Sequence, residues 1–149
     1  MNIKIVYVGN KPSAILDELI CDYTKRLPRS IKCSWVSIKH GSGGISNSKQ
    51  YESENILKHI NQNSYVFLLD ESGKQLNSVE LSIQLFSISK DIVFIIGGAY
   101  GVAEDVKIRA DFIWSLSELV LPHQLVKLVL AEQIYRAHTI ATNHPYHHS

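Results

Sequence analysis

Cysteine is nearly absent from this chain of 149 residues: Cys21 and Cys33 are the only two, and no Cys-x-x-Cys occurs. That excludes a zinc ribbon and a thioredoxin-like redox motif. Two unpaired thiols in a reducing compartment are expected rather than a disulfide. A surplus of one charge is also lacking. Lys and Arg number 15 against 14 Asp and Glu, a net charge of +1, so no global basic field can hold nucleic acid unaided. Any such site must be a local patch or be assembled from more than one chain. Long hydrophobic runs are missing too. The longest apolar-rich stretch, 119–131, is interrupted by Pro122, His123, Gln124 and Lys127 and falls short of the roughly 20 residues of a membrane span. Asn2 and Lys4 break up the N-terminal apolar residues, which therefore do not read as a signal peptide. A soluble, cytoplasmic protein with no membrane partner is predicted.

What is present suits one folded domain, 1–149. Apolar residues make up 45% and charged residues 19%, ordinary values for a globular chain. β-branched and aliphatic runs predict strands at 3–8, 31–38, 65–69, 92–96 and 112–114. Helices are expected from Pro12 to Leu27-Pro28, over 52–60, from Ser78 to about Ser89, over 103–109, and from Pro122 to about Thr139. Asn77 and Glu80 have capping-box spacing. The segment 40–48, with three glycines and three serines, reads as a mobile loop. Alternating strands and helices predict an α/β fold, a mainly parallel sheet flanked by helices. Such sheets bind ligands beyond the carboxyl ends of their strands, which directs attention to the loops after Leu69, Ile96 and Trp114.

Three constellations could carry chemistry. The first is the turn Gly97-Gly98-Ala99-Tyr100-Gly101. It lacks both the Gly-x-Gly-x-x-Gly of dinucleotide sites and the Gly-Lys-Ser/Thr of a P-loop. The second is the last helix, where Glu132 and Arg136 share a face. That helix also has more apolar residues, Val129 and Ile134 among them, than one core contact requires, so a second copy of the chain is the expected partner. The third is the tail. Five of the seven histidines follow residue 122: His123, His138, His144, His147 and His148. A tail offers too little fixed geometry for a metal site, and none is expected; Pro145 and Tyr146 are residues that dock.

Six segments occur in order: Leu69-Asp70-Glu71-Ser72-Gly73-Lys74, Ile96-Gly97-Gly98-Ala99-Tyr100-Gly101, Ser115-Leu116-Ser117, Leu121-Pro122-His123, Glu132-Gln133-Ile134-Tyr135-Arg136-Ala137 and His144-Pro145-Tyr146-His147. Together with Val8-Gly9 and the Tyr-x-x-Arg of Tyr23 to Arg26, they make the chain resemble, over essentially its whole length, the ribosomal RNA large subunit methyltransferase H family, small members of the SPOUT class. The resemblance implies a C-terminal trefoil knot, a homodimer and S-adenosylmethionine as methyl donor. It implies methylation at N3 of a pseudouridine in helix 69 of bacterial 23S rRNA, on the assembled ribosome. Carried over residue by residue, it implies donor binding by Leu69, Gly97, Leu116, Ser117, Glu118, Leu119, Val120 and Leu121. On the acceptor side it implies Glu132, Arg136, Tyr146, His147 and His148, the tail of one chain reaching the donor pocket of the other.

Within that reading His147 is the expected base for the imide proton, since histidine titrates near neutrality. Arg136 is expected to orient the base or hold phosphate, and Glu132 to orient Arg136 or the tail. The chain departs from the family pattern at Leu119-Val120, where Met-Thr is usual, at Lys127, where Arg is usual, and at His148, where Arg or Lys is usual. The last departure leaves a rival reading, a catalytically impaired homologue that keeps only the ribosome contact. A nucleotide-binding oxidoreductase is a more distant rival.

Overall fold

A computed structural model describes residues 1–9 and 13–148; the helix start expected at Pro12 lies outside the described residues. Five parallel strands form one sheet in the order β2-β1-β4-β3-β5: β1 Asn2–Val8, β2 Lys32–Ile38, β3 Tyr65–Gln75, β4 Ile92–Ile96 and β5 Phe112–Ser115. All five residues of β4 are buried, as a central parallel strand covered on both faces requires. Successive side chains alternate between two cores. Ile92, Phe94 and Ile96 join Phe67, Trp114, Leu81, Leu85, Leu130 and Ile134 on one face, while Val93 and Ile95 join Val6, Ile56, Val102 and Val106 on the other. The first face carries α1 Ala14–Lys25, α3 Ser78–Ser87 and α5 His123–Ala141; the second carries α2 Ile45–Leu57 and α4 Glu104–Arg109. The α/β class with a parallel sheet is borne out.

Three local expectations need correction. The segment 40–48 is not all loop, because α2 begins at Ile45. Gly44 supplies the entry with φ +96°, a backbone that glycine adopts freely, and its carbonyl accepts from the Ser48 N–H at 2.9 Å. Strand β3 does not end at Leu69. Both Leu69 and Lys74 register with Trp114, so residues 70–73 are extruded as a bulge before the strand resumes. Asp70 closes that bulge by accepting from the Ser72 N–H at 2.9 Å and the Ser72 hydroxyl at 2.6 Å. Gly73 then passes so close to Ile113 that a Cβ there would lie 2.6 Å from that backbone.

Ile134 is no surface residue. It is 2% exposed, inside the first core, because α5 packs against both α1 and α3. The apolar surplus of this helix therefore largely serves its own chain. Leu125 and Val129 are its exposed large apolar residues, with Leu119 and Val120 just before it.

Candidate active site

The carboxyl ends of β3, β4 and β5 open onto a cleft of about 600 Å³, within the size range of small-molecule sites. Of the eight expected donor residues, Leu69, Gly97, Leu116, Ser117, Leu119, Val120 and Leu121 line it. Glu118 does not; its side chain is exposed, since a loop that presents its neighbours to the cleft turns this one outward. The 116–121 loop is braced from within: the Ser115 hydroxyl donates to the Ser117 carbonyl, and the Leu119 N–H donates to the Ser117 hydroxyl oxygen, both at 3.0 Å.

Gly97 is required by a close approach rather than by a left-handed backbone. A Cβ there would meet Val102 Cγ1 at 2.8 Å, and φ is positive in this turn at Gly101 instead, +78°. Asp70 and Lys107 bring charge to the cleft. Partial burial acts to raise the Asp70 pKa, but the Ser72 hydrogen bonds, Lys107 and Lys49 outweigh it and hold the carboxyl below its ordinary value.

The sequence gives little sign of what braces the glycine turn from behind. Helix α2 inserts Glu52 and Ser53, 7% and 1% exposed. The Ser53 hydroxyl accepts from the Ala103 N–H at 2.8 Å, and Glu52 accepts from the Gly41 N–H at 3.0 Å. The Glu52 carboxylate lies where a Gly98 side chain would stand, 2.5 Å from the Cβ position. His40 Nδ1 sits 3.8 Å from the same carboxylate. The one available clue was spacing, since Glu52 precedes buried Ile56 by one helical turn.

The acceptor-side residues form a second, separate cluster at the far end of α5, and none of them lines the cleft. Asn143, in the left-handed conformation with φ +53°, ends the helix. The His144 and Asn143 N–H groups return to the carbonyls of Thr139 and Ile140 at 2.8 and 3.2 Å, the paired bonds of a Schellman stop. The chain then doubles back. Tyr146 donates to Glu132 Oε1 at 3.0 Å and packs edge-on against Tyr135 at 4.8 Å. Arg136 donates to the same oxygen through Nε and Nη2, at 2.9 and 2.6 Å, lies over the Tyr146 ring, and reaches His147 Nδ1 with Nη1 at 3.2 Å.

Gln133 completes the cluster, donating to Glu132 Oε2 at 2.6 Å while accepting from the Ser78 hydroxyl at 2.8 Å. Hydrogen bonding to Glu132 holds the Arg136 pKa above its ordinary value. Burial, with hydrogen bonds to Tyr23 and Glu132, pushes the Tyr146 phenol up to about 12. Tyr146 therefore docks, as Pro145 and Tyr146 suggested. His148 is exposed beyond the cluster.

Guanidinium groups only donate, so Nδ1 of His147 is the acceptor and its neutral ring carries hydrogen on Nε2. In this arrangement the expected base has its lone pair already engaged. Cys33 is unpaired, and burial pushes its thiol up to about 12, far from a reactive thiolate. Among the described residues no group of three or more His, Cys, Asp or Glu is placed to hold a metal, and no helix is long and apolar enough to cross a membrane.

A family described as "Predicted SPOUT methyltransferase" matches residues 1–147. Among curated proteins, this chain is similar to ribosomal RNA large subunit methyltransferase H of Chromobacterium violaceum, 40% identical over 99% of both chains. It is also similar to the proteins of the same name from Geobacter metallireducens, 39% identical over 100% of both, and Alkaliphilus oremlandii, 41% identical over 99% of both.

Proposed function

The chain belongs to the SPOUT methyltransferase family, and from that premise we propose that it transfers a methyl group from S-adenosylmethionine to N3 of a pseudouridine in helix 69 of 23S rRNA, acting in the cytoplasm on the assembled ribosome as a homodimer of single-domain subunits. The observation that carries this reading is the division of the site. A cleft lined by seven of the expected donor residues lies apart, in the same chain, from an assembled cluster of Glu132, Arg136, Tyr146 and His147. Two copies would bring the cluster of one to the cleft of the other. A C-terminal knot belongs to the same proposal.

The cleft suits the donor chemically. Its volume fits a nucleoside-bearing ligand, and ionised Asp70 at its edge offers a partner for a cation or for ribose hydroxyls. S-adenosylmethionine supplies the methyl as a sulfonium. The carbon–sulfur bond breaks as the carbon–N3 bond forms, and the N3 proton departs. Holding the reactants in line is the main contribution. With Nδ1 engaged by Arg136, His147 donates through Nε2 to a carbonyl oxygen of the base. That bond and the nearby guanidinium stabilise the deprotonated imide, and the proton leaves to water.

Calorimetric titration with S-adenosylmethionine, followed by methyl incorporation into ribosomes lacking the modification, tests the reading. Donor binding and stoichiometric incorporation are expected. Donor binding and ribosome binding without incorporation would establish the impaired homologue instead, and no donor binding would end the proposal. The dimer has its own test. Val129→Asp, at an exposed position of α5, is expected to convert a dimer to a monomer in light scattering and to abolish incorporation; a monomeric wild type would refute it.

A further inference from the structure

A second chamber, of about 410 Å³, adjoins the donor cleft at the carboxyl ends of β1 and β2. The two share Ile96 and His123 as a common wall. Tyr7, Gly9, Asp17, Ser37, His40 and Lys127 are also in its lining. Lys127 is the unusual member, only 7% exposed. Its Nζ stands 3.9 Å from Asp17 Oδ1, too far for a hydrogen bond, and 4.4 Å above the Tyr7 ring. Among the described residues this ammonium, with three protons to donate, makes no hydrogen bond. A buried cation held by one long ion pair and a ring face is incompletely compensated. An anionic oxygen entering the chamber would complete it.

His123 brings no charge to this wall. It bonds the Val8 backbone, and burial and His40 together hold its pKa below the ordinary value, so near neutrality it presents a neutral polar wall between the two cavities.

We propose that this chamber is the acceptor-strand subsite, in which Lys127 holds a backbone phosphate of the RNA whose base is methylated from the adjoining cleft. The inference rests on the RNA-methyltransferase reading above. A nucleotide placed against the donor carries a phosphate on either side of its sugar, and the shared wall puts the chamber within one nucleotide of the cleft. The donor's own carboxylate has the same anionic chemistry, so the test must separate the two sources.

Lys127→Met removes the charge and keeps much of the stem; Lys127→Arg restores a cation. Each is compared with wild type for donor affinity by calorimetry and for methylation of unmodified ribosomes at several salt concentrations. For Lys127→Met, donor affinity and kcat are expected to be unchanged. KM for ribosomes is expected to rise about tenfold, the scale of one charge-assisted hydrogen bond, and the salt slope of binding to fall by about 1. Lys127→Arg should recover most of both. Ser37→Asp, on an exposed face of edge strand β2, loses the hydroxyl's bond to the Gly9 carbonyl and puts a repelling charge at the chamber; relative to Ser37→Ala, which loses the bond alone, it should raise KM in the same direction even if Lys127→Met does not fold.

Weakened donor binding in Lys127→Met would assign the chamber to the donor's carboxylate and overturn the proposal. So would wild-type KM and salt slope in Lys127→Met, or in Ser37→Asp should Lys127→Met not fold. If wild type itself binds no donor or methylates no ribosome, the underlying reading fails, and this inference with it.

Discussion

The donor cleft lies at the start of α5 and the acceptor cluster along its middle and second half, yet they are built on different plans. The cleft is made largely of main chain. The glycine turn folds tightly on itself at Gly97, the β3 bulge passes against the β5 backbone at Gly73, and few of the cleft's side chains bond each other. The cluster is made of side chains that satisfy one another: Glu132 alone accepts from Arg136, Gln133 and Tyr146. A site built on backbone tolerates changes of residue type as long as the path of the chain is kept, and Leu119 and Val120 line the cleft. A site built on a side-chain network fails as a unit when one member is lost.

The sharpest way to break this contrast is at the loop. Gly97→Val drives a branched side chain into Val102 and the Gly101 backbone. Overpacking of this kind costs about 1–3 kcal/mol, so donor affinity in calorimetry should drop by roughly tenfold to a hundredfold while circular dichroism shows a folded chain. Unchanged affinity would mean that the donor does not use this turn.

Glu132→Ala attacks the network instead. It strands Arg136 and Gln133 and releases the Tyr146 hydroxyl, costing about 2 kcal/mol of stability. Methylation should be lost with donor affinity intact, and the tail should become sensitive to carboxypeptidase. Loss of donor binding would show that the two regions are coupled more closely than their separation suggests.

Tyr146 provides a spectroscopic handle on the docked tail. Burial, with hydrogen bonds to Tyr23 and Glu132, pushes its phenol up to about 12 from an ordinary value of about 10. A raised pKa favours the folded, protonated form, so this contribution is complete below pH about 10 and disappears as pH rises through about 12. In an alkaline absorbance titration one of the tyrosines should ionise late, and Tyr146→Phe should remove that late step. The smallest effect is expected from His148→Arg. It adds a permanent charge at an exposed position and should raise methylation of ribosomes only severalfold, within the range of about 1 kcal/mol for exposed charges. A decrease would indicate that histidine is preferred there.

Much of this architecture was legible because burial leaves periodic marks. The unbroken aliphatic run of β4 and the Asn77–Glu80 capping box, both of whose bonds form, are local signals that tertiary packing reinforces. The start of helix α2 is hidden in the sequence because Gly-Ser-Gly-Gly-Ile-Ser-Asn-Ser has the composition of a flexible segment; its helical start depends on the conformation of Gly44, which composition does not report. The carboxyl ends of parallel strands mark the cleft, and helical spacing pairs Glu132 with Arg136, whereas the acceptor role of these residues and of His147 is implied only by the family resemblance. Glu52 escaped both routes. A buried acid on a polar helix looks like any surface glutamate until the turn it braces is seen in space.

The strand order carries a consequence for synthesis. Strand β1 lies between β2 and β4, so the first strand made cannot be enclosed on its second side until residues beyond 90 have emerged. Helix α1 must wait longer still, because the helix that covers it, α5, begins only at His123. The nascent chain thus exposes the apolar faces of β1 and α1 until α5 has emerged. Such delayed, long-range closure slows folding and favours aggregation, which makes this small protein an expected client for chaperones that act on chains leaving the ribosome.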